Sequence, residues 1–202
     1  MDKSTKLIYY ILGLILIIVG IYLSIFQRQA HFYSLYSVGF LIIFWTIYNS
    51  KSKTKLFKNF KTWHKIFFWV ILTIACLIID KLGIYLGYWI YPNYKTIFDE
   101  IIKYLFEWIA PLVYSMILFK IGLNQTSEKI KLKNILIAFG LILIFGIFTE
   151  YINLFSNSWK IISMPITNFK IGQFFLIFQT IGYWLIAIIP FCIYELTKKL
   201  FK

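Results

Sequence analysis

Long apolar runs alternate with short polar connections along the whole 202-residue chain. Residues 7–26 form an uncharged run of 20, which as a helix spans about 30 Å, the thickness of a hydrocarbon core. A short basic lead precedes it, and no small-x-small cleavage pattern follows. It therefore reads as a retained first transmembrane helix. Residues 27–31 are a polar break, and residues 32–48 form a second run. The third, 66–91, is interrupted by Asp80 and Lys81; the fourth, 101–119, carries Lys103, Glu107 and Pro111. The fifth, 135–155, holds Glu150, and the sixth, 171–194, holds Gln173, Gln179 and Pro190. The pattern predicts an all-α fold: a polytopic helical membrane bundle of about six transmembrane helices in a single integral membrane domain, 1–202.

Composition agrees. With 60% hydrophobic and 14% charged residues, the chain is too apolar for a soluble domain. The net charge of +13 would suggest nucleic acid in a soluble protein, but here the lysines lie between the apolar runs. Arg28 is the one arginine, which disfavours a guanidinium-based phosphate or nucleic-acid site. The expected partners are membrane lipids, with a second copy of the chain or another membrane protein as candidates, and not nucleic acid. The N-terminal lead, residues 49–65, residues 120–133 and the C-terminal tail together carry 15 of the 21 basic residues. By the positive-inside rule both termini are expected in the cytoplasm, with the bundle in the cell membrane.

Depth then singles out three acids. Asp80 lies about 21 Å along the third helix from its lysine-rich start, and Glu150 about 22 Å along the fifth. Glu107, on a helix running the other way, lies about 9 Å from the opposite face. All three reach one level, in the outer leaflet. An ionised side chain at a helix centre costs roughly 2.5–3.5 kcal/mol on insertion scales, so such groups face the bundle interior or water. Pairing of Asp80 with Lys81 or Lys103, and of Glu107 with Lys103, is the structural alternative to a functional pocket. Pro111 lacks an N–H and frees the carbonyl of Glu107. Gly83 and Gly87 share a face with Asp80 and would let another helix approach it.

A repeat is also visible. Trp89 follows Asp80 by nine residues, and Trp159 follows Glu150 by nine. Each Trp precedes a connection with a proline, Pro92 or Pro165, and the next helix carries Ile-Ala-Pro ending at Pro111 or Ile-Ile-Pro ending at Pro190. This predicts repeated helical hairpins, 66–119 and 135–194, with 7–48 as a divergent third. Trp89, Trp108 and Trp159 also suit an interfacial aromatic belt.

The segment from Asp80 through Trp89, Ile90 and Tyr91, taken with Glu107 and Pro111, resembles membrane modules of the carotenoid lycopene-cyclase type, which pair acids with Trp-Tyr segments and a proline in short hairpins. That resemblance implies isoprenoid chemistry. The family's Pro-x-Glu-Glu arrangement is missing here, since no acid pair follows Pro111. The same region is similar to small multi-helix membrane proteins of spore-forming Firmicutes, a likeness that implies no activity.

No Walker loop, HExxH, GxSxG, CxxC or dinucleotide-binding glycine pattern is present, and no metal or cofactor is expected. Cys76 and Cys192 fall in apolar runs without metal-ligand spacing. His31 and His64 belong near opposite faces, and His64 is expected as a solvated interfacial residue. Three functions remain. The favoured one is a non-enzymatic protein binding a lipid, small ligand or partner in an outer-leaflet polar pocket, with Asp80, Glu107, Glu150, Trp89 and Trp159 as candidate ligand-binding residues. The others are an isoprenoid- or carotenoid-type lipid-modifying enzyme, whose acids would donate protons or stabilise a carbocation, and a small proton- or cation-coupled transporter.

Overall fold

The computed structural model describes residues 2–51, 56–58, 60–123, 132–162 and 176–201, with the side chains of 51 and 176–181 excepted. Six helices form the predicted all-α bundle: α1 Lys3–Ile25, α2 Phe32–Lys51, α3 Thr62–Tyr85, α4 Ile97–Gly122, α5 Leu132–Ser156 and α6 Leu176–Leu200. The first five are long and apolar enough to cross a membrane. Two short strands, β1 Trp89–Ile90 and β2 Lys160–Ile161, pair antiparallel. The expectations for Pro165, Gln173 and a helix start at residue 171 lie outside the described residues.

α1 and α2 form a tight hairpin because glycines line their contact. A Cβ on Gly13 would stand 2.9 Å from the Gly39 carbonyl oxygen, and one on Gly39 would stand 2.7 Å from the Gly13 carbonyl oxygen. α1 buries Gly13, Ile17, Gly20 and Ser24, a single stripe at helical spacing, and turns Leu7, Ile11, Leu14 and Ile18 outward. Van der Waals contact between small residues is how membrane helices associate without a hydrophobic drive.

α4 is the axis of the bundle. Every residue from Ala110 to Lys120 is buried, and the helix packs against α2, α5 and α6. Leu112, Val113, Met116 and Ile117 meet Phe68, Leu72 and Cys76 of α3. Leu118 and Phe119 meet Ala138 and Ile142 of α5 and Ala187 of α6. At the lysine-rich end, Lys120 pairs with Glu195 of α6 at 2.8 Å. His64 is buried there rather than solvated. Its Nδ1 accepts from the Lys61 backbone N–H at 3.2 Å, and its ring stacks on Phe201 at 4.5 Å, joining the start of α3 to the end of α6.

Three boundaries differ from the sequence reading, each for a local reason. α3 ends at Tyr85, short of residue 91. Gly87 takes φ 70, the left-handed conformation glycine tolerates, and the Tyr88 and Gly87 N–H groups bond the carbonyls of Gly83 (2.8 Å) and Ile84 (3.0 Å). Residues 89–91 therefore leave the helix, and Trp89 folds back along it. Gly83 makes room for that indole rather than for another helix: a Cβ there would stand 2.0 Å from Trp89 Cζ2. α4 begins early, at Ile97, because Thr96 and Asp99 cap it reciprocally. Ahead of Pro111, α4 widens to a π-helix over Lys103–Trp108, where the Ile109 N–H bonds the Tyr104 carbonyl five residues back. A proline ring clashes with the carbonyl four residues earlier, and the wider turn moves that carbonyl away.

The predicted hairpin repeat has a geometric counterpart. In the ladder Ile90 faces Lys160 and Trp89 faces Ile161. Trp89 and Trp159 hold the same place after their acids, so Ile90 lies opposite its own counterpart, as across a local two-fold axis. Among the helices, α4 packs on α5, α6 packs on α3, and α4 meets α6 directly, whereas the pair α5 and α6 is packed more closely than the pair α3 and α4.

Candidate functional site

The acids lie at the end of the bundle opposite the lysine-rich one, where the connections between helices fold over them. Asp80, on α3, is fully buried. One carboxylate oxygen accepts from Trp89 Nε1 at 3.1 Å and from the Tyr91 hydroxyl at 2.8 Å. The other accepts from the Tyr104 hydroxyl at 2.7 Å and faces Lys103 Nζ at 3.1 Å. Lys103, also fully buried, bonds Glu100 at 3.0 Å and lies 4.3 Å and 4.7 Å from the ring centroids of Tyr91 and Tyr104. The exposed Lys81 closes the other side of Glu100 at 3.1 Å. Of the two partners expected for Asp80, the structure selects Lys103.

Glu107 has different company. Its Oε1 accepts from Ser34 Oγ at 2.8 Å and meets His31 Nδ1 at 3.1 Å, while Oε2 accepts from the Tyr94 hydroxyl. The opposite nitrogen of His31 meets Asp99 Oδ1 at 2.8 Å. The second Asp99 oxygen takes the backbone N–H groups of Lys95 (2.8 Å) and Thr96 (2.7 Å). A ring with an ionised carboxylate on each nitrogen can donate from both only as the imidazolium, the form this site favours. Its pKa is raised above the usual histidine value, first by the bond to Glu107; burial opposes this and Asp99 reinforces it. Burial, then the charge of Glu107, drives the Tyr94 phenol upward and keeps it a donor. Sequence reasoning paired Glu107 with Lys103 and missed His31, which lies 76 residues away in the α1–α2 connection.

Glu150, on α5, is buried with 4% of its surface exposed. Trp159 Nε1 donates to both its oxygens, at 3.1 Å and 3.2 Å, and the Tyr183 hydroxyl donates at 2.9 Å. The turn that returns Trp159 is built on Asn153. Its Oδ1 accepts from the Ser158 N–H at 3.0 Å, and its Nδ2 donates to the Trp159 carbonyl at 2.9 Å. The Tyr33 ring stands edge-on to Trp159 at 4.8 Å. Gly146 admits the Tyr183 ring: a Cβ there would stand 2.9 Å from it. Among the described residues no ion pair reaches Glu150.

The five residues singled out from sequence thus occupy three hydrogen-bonded groups at one end of the bundle. Trp89 and Trp159 each donate to the acid nine residues earlier, which gives that spacing its physical meaning. Tyr91 links two of the groups. It accepts from Trp108 Nε1 at 3.0 Å, and its ring lies 5.2 Å from that of Tyr94, the Glu107 donor. No protein-family model, curated protein or solved structure matches the chain. The chemistry of these groups therefore carries the functional reading.

Proposed function

We propose that this protein lies in the cell membrane with both termini cytoplasmic and binds a lipid or small ligand at the polar layer of its outer leaflet. Asp80, Glu107, Glu150, Trp89 and Trp159 make up the polar layer, its three carboxylates buried, at which the ligand is recognised. The observation that carries this reading is the burial of three carboxylates at one end, on α3, α4 and α5, each held by donors from the connections that cover that end. Such a layer is costly. Apolar packing of the same volume often stabilises a core as well as buried ion pairs do, or better. Intramembrane acids retained against that cost mark recognition or transport sites.

The test uses Asp80→Asn, Glu107→Gln and Glu150→Gln variants, extracted from native membranes, with retained lipids read by native mass spectrometry. Insertion is expected to persist and the retained-lipid pattern to change. An unchanged pattern in all three overturns the binding role. Orientation is tested at exposed positions: Lys95→Cys should react with an impermeant maleimide added outside intact cells, and Lys199→Cys should not. The reverse result inverts the topology.

A further inference from the structure

The two acid–tryptophan units differ at one place. Seven residues before Pro111, Tyr104 donates to Asp80 at 2.7 Å; seven residues before Pro190, Tyr183 donates to Glu150 at 2.9 Å. The residue before the tyrosine is Lys103 in one unit and Gly182 in the other. Lys103 brings an ammonium to Asp80. Gly182 has no side chain to bring; it is exposed, and a Cβ there would meet no other described part of the fold within 4 Å beyond its own stretch of helix. Glu150 is left with neutral donors among the described residues, and an indole N–H can only donate. Ionised, Glu150 would be a buried anion with no counter-charge among the described residues, which is expensive, so an incoming cation would favour its charged form.

We propose that the Glu150 site takes the ammonium of a membrane-soluble primary amine, in the role that Lys103 fills for Asp80. This rests on the binding role proposed above and names its ligand class. The walls favour an organic cation: Trp159 and Tyr183 flank the carboxylate, Tyr33 stands against Trp159, and the ammonium in the matching unit lies over two tyrosine rings. Calcium and magnesium ions take six or more oxygen ligands, and one carboxylate beside a phenol and an indole supplies too few. Gly182, exposed and without a side chain, leaves unfilled the place that Lys103 occupies in the other unit. Phosphatidylethanolamine and a free long-chain amine share this chemistry, and the experiment separates them.

The full chain in detergent micelles is offered phosphatidylethanolamine, phosphatidylglycerol or dodecylamine, and occupancy is read by native mass spectrometry. Wild type is expected to hold one amine-bearing molecule in preference to phosphatidylglycerol. Glu150→Gln and Gly182→Lys should each weaken this by about tenfold or more, the scale of one hydrogen bond to a charged group. Gly182→Lys supplies the ammonium internally, so it should also raise the melting temperature in amine-free micelles. If that variant fails to fold, Glu150→Gln decides. Dodecylamine binding without phosphatidylethanolamine binding supports the proposal and identifies a free amine as ligand. Equal binding of both phospholipids, or amine binding unchanged in Glu150→Gln, overturns the ammonium assignment and leaves the broader binding role standing. Retention of none of the three overturns the assignment; if native-membrane lipids are also absent, the binding role falls with it.

Discussion

Asp80 and Glu150 hold matching places in the two hairpins, and each accepts from the indole nine residues further on and from a tyrosine of the following helix. Asp80 also has Lys103, fully buried, at 3.1 Å; Glu150 has no ion pair among the described residues. Among the described residues, one carboxylate has a cation at hydrogen-bond distance and the other has none. The two units share their hydrogen-bond pattern and differ in charge balance. In the first unit the cation of the polar layer comes from the chain itself; in the second none is found among the described residues.

The largest test of this contrast is Lys103→Met. It strands Asp80 as an uncompensated buried charge and should cost roughly 3–5 kcal/mol of stability, with part recovered by adding Asp80→Asn. Unfolding in mixed detergent measures it. A loss below about 1 kcal/mol would remove the distinction between the units, since exposed ion pairs contribute on that scale. Gly83→Ala comes next. Its methyl would collide with the Trp89 indole, and overpacking of this kind costs about 1–3 kcal/mol. Displacement of Trp89 from Asp80 should appear as a shift in tryptophan emission. Glu150→Gln, in amine-free micelles, should cost about 1 kcal/mol or less, because the amide oxygen still accepts from Trp159 or Tyr183. A cost matching that of Lys103→Met would make the two units equivalent.

The smallest effect concerns pH. The folded pKa of His31 is raised, so its contribution is fully present below the unfolded histidine value, about 6.5, and fades as pH climbs through the folded value. Protection of the α1–α2 connection against hydrogen exchange should fall over that rise, after correction for intrinsic exchange. His31→Gln should flatten the dependence, and an unaltered profile would deny His31 its role as a clasp.

The sequence carried much of this. Apolar runs set the bundle, distance from the lysine-rich starts put three acids toward one end, and the nine-residue spacing picked out the indole that bonds each of two acids. What escaped it was set by tertiary contact. His31 is a single polar residue in a short connection, and its carboxylate partners come from a distant helix. The end of α3 was misplaced because Trp89, Ile90 and Tyr91 continue the apolar run as well in a strand as in a helix; Gly87 was the local signal, and its φ explains the stop. The π turn has no periodicity of its own to betray it beyond Pro111 four residues after Glu107.

The two-residue ladder has a mechanical consequence. Ile90 and Lys160 join the connections that carry Trp89 and Trp159, and the Ile162 N–H adds a bond to the Tyr88 carbonyl at 2.7 Å. It acts as a tie bar between the two mouths of the hairpins. A displacement of Trp159 from Glu150 would load that bar and, through Tyr88, the Gly87 turn beside it.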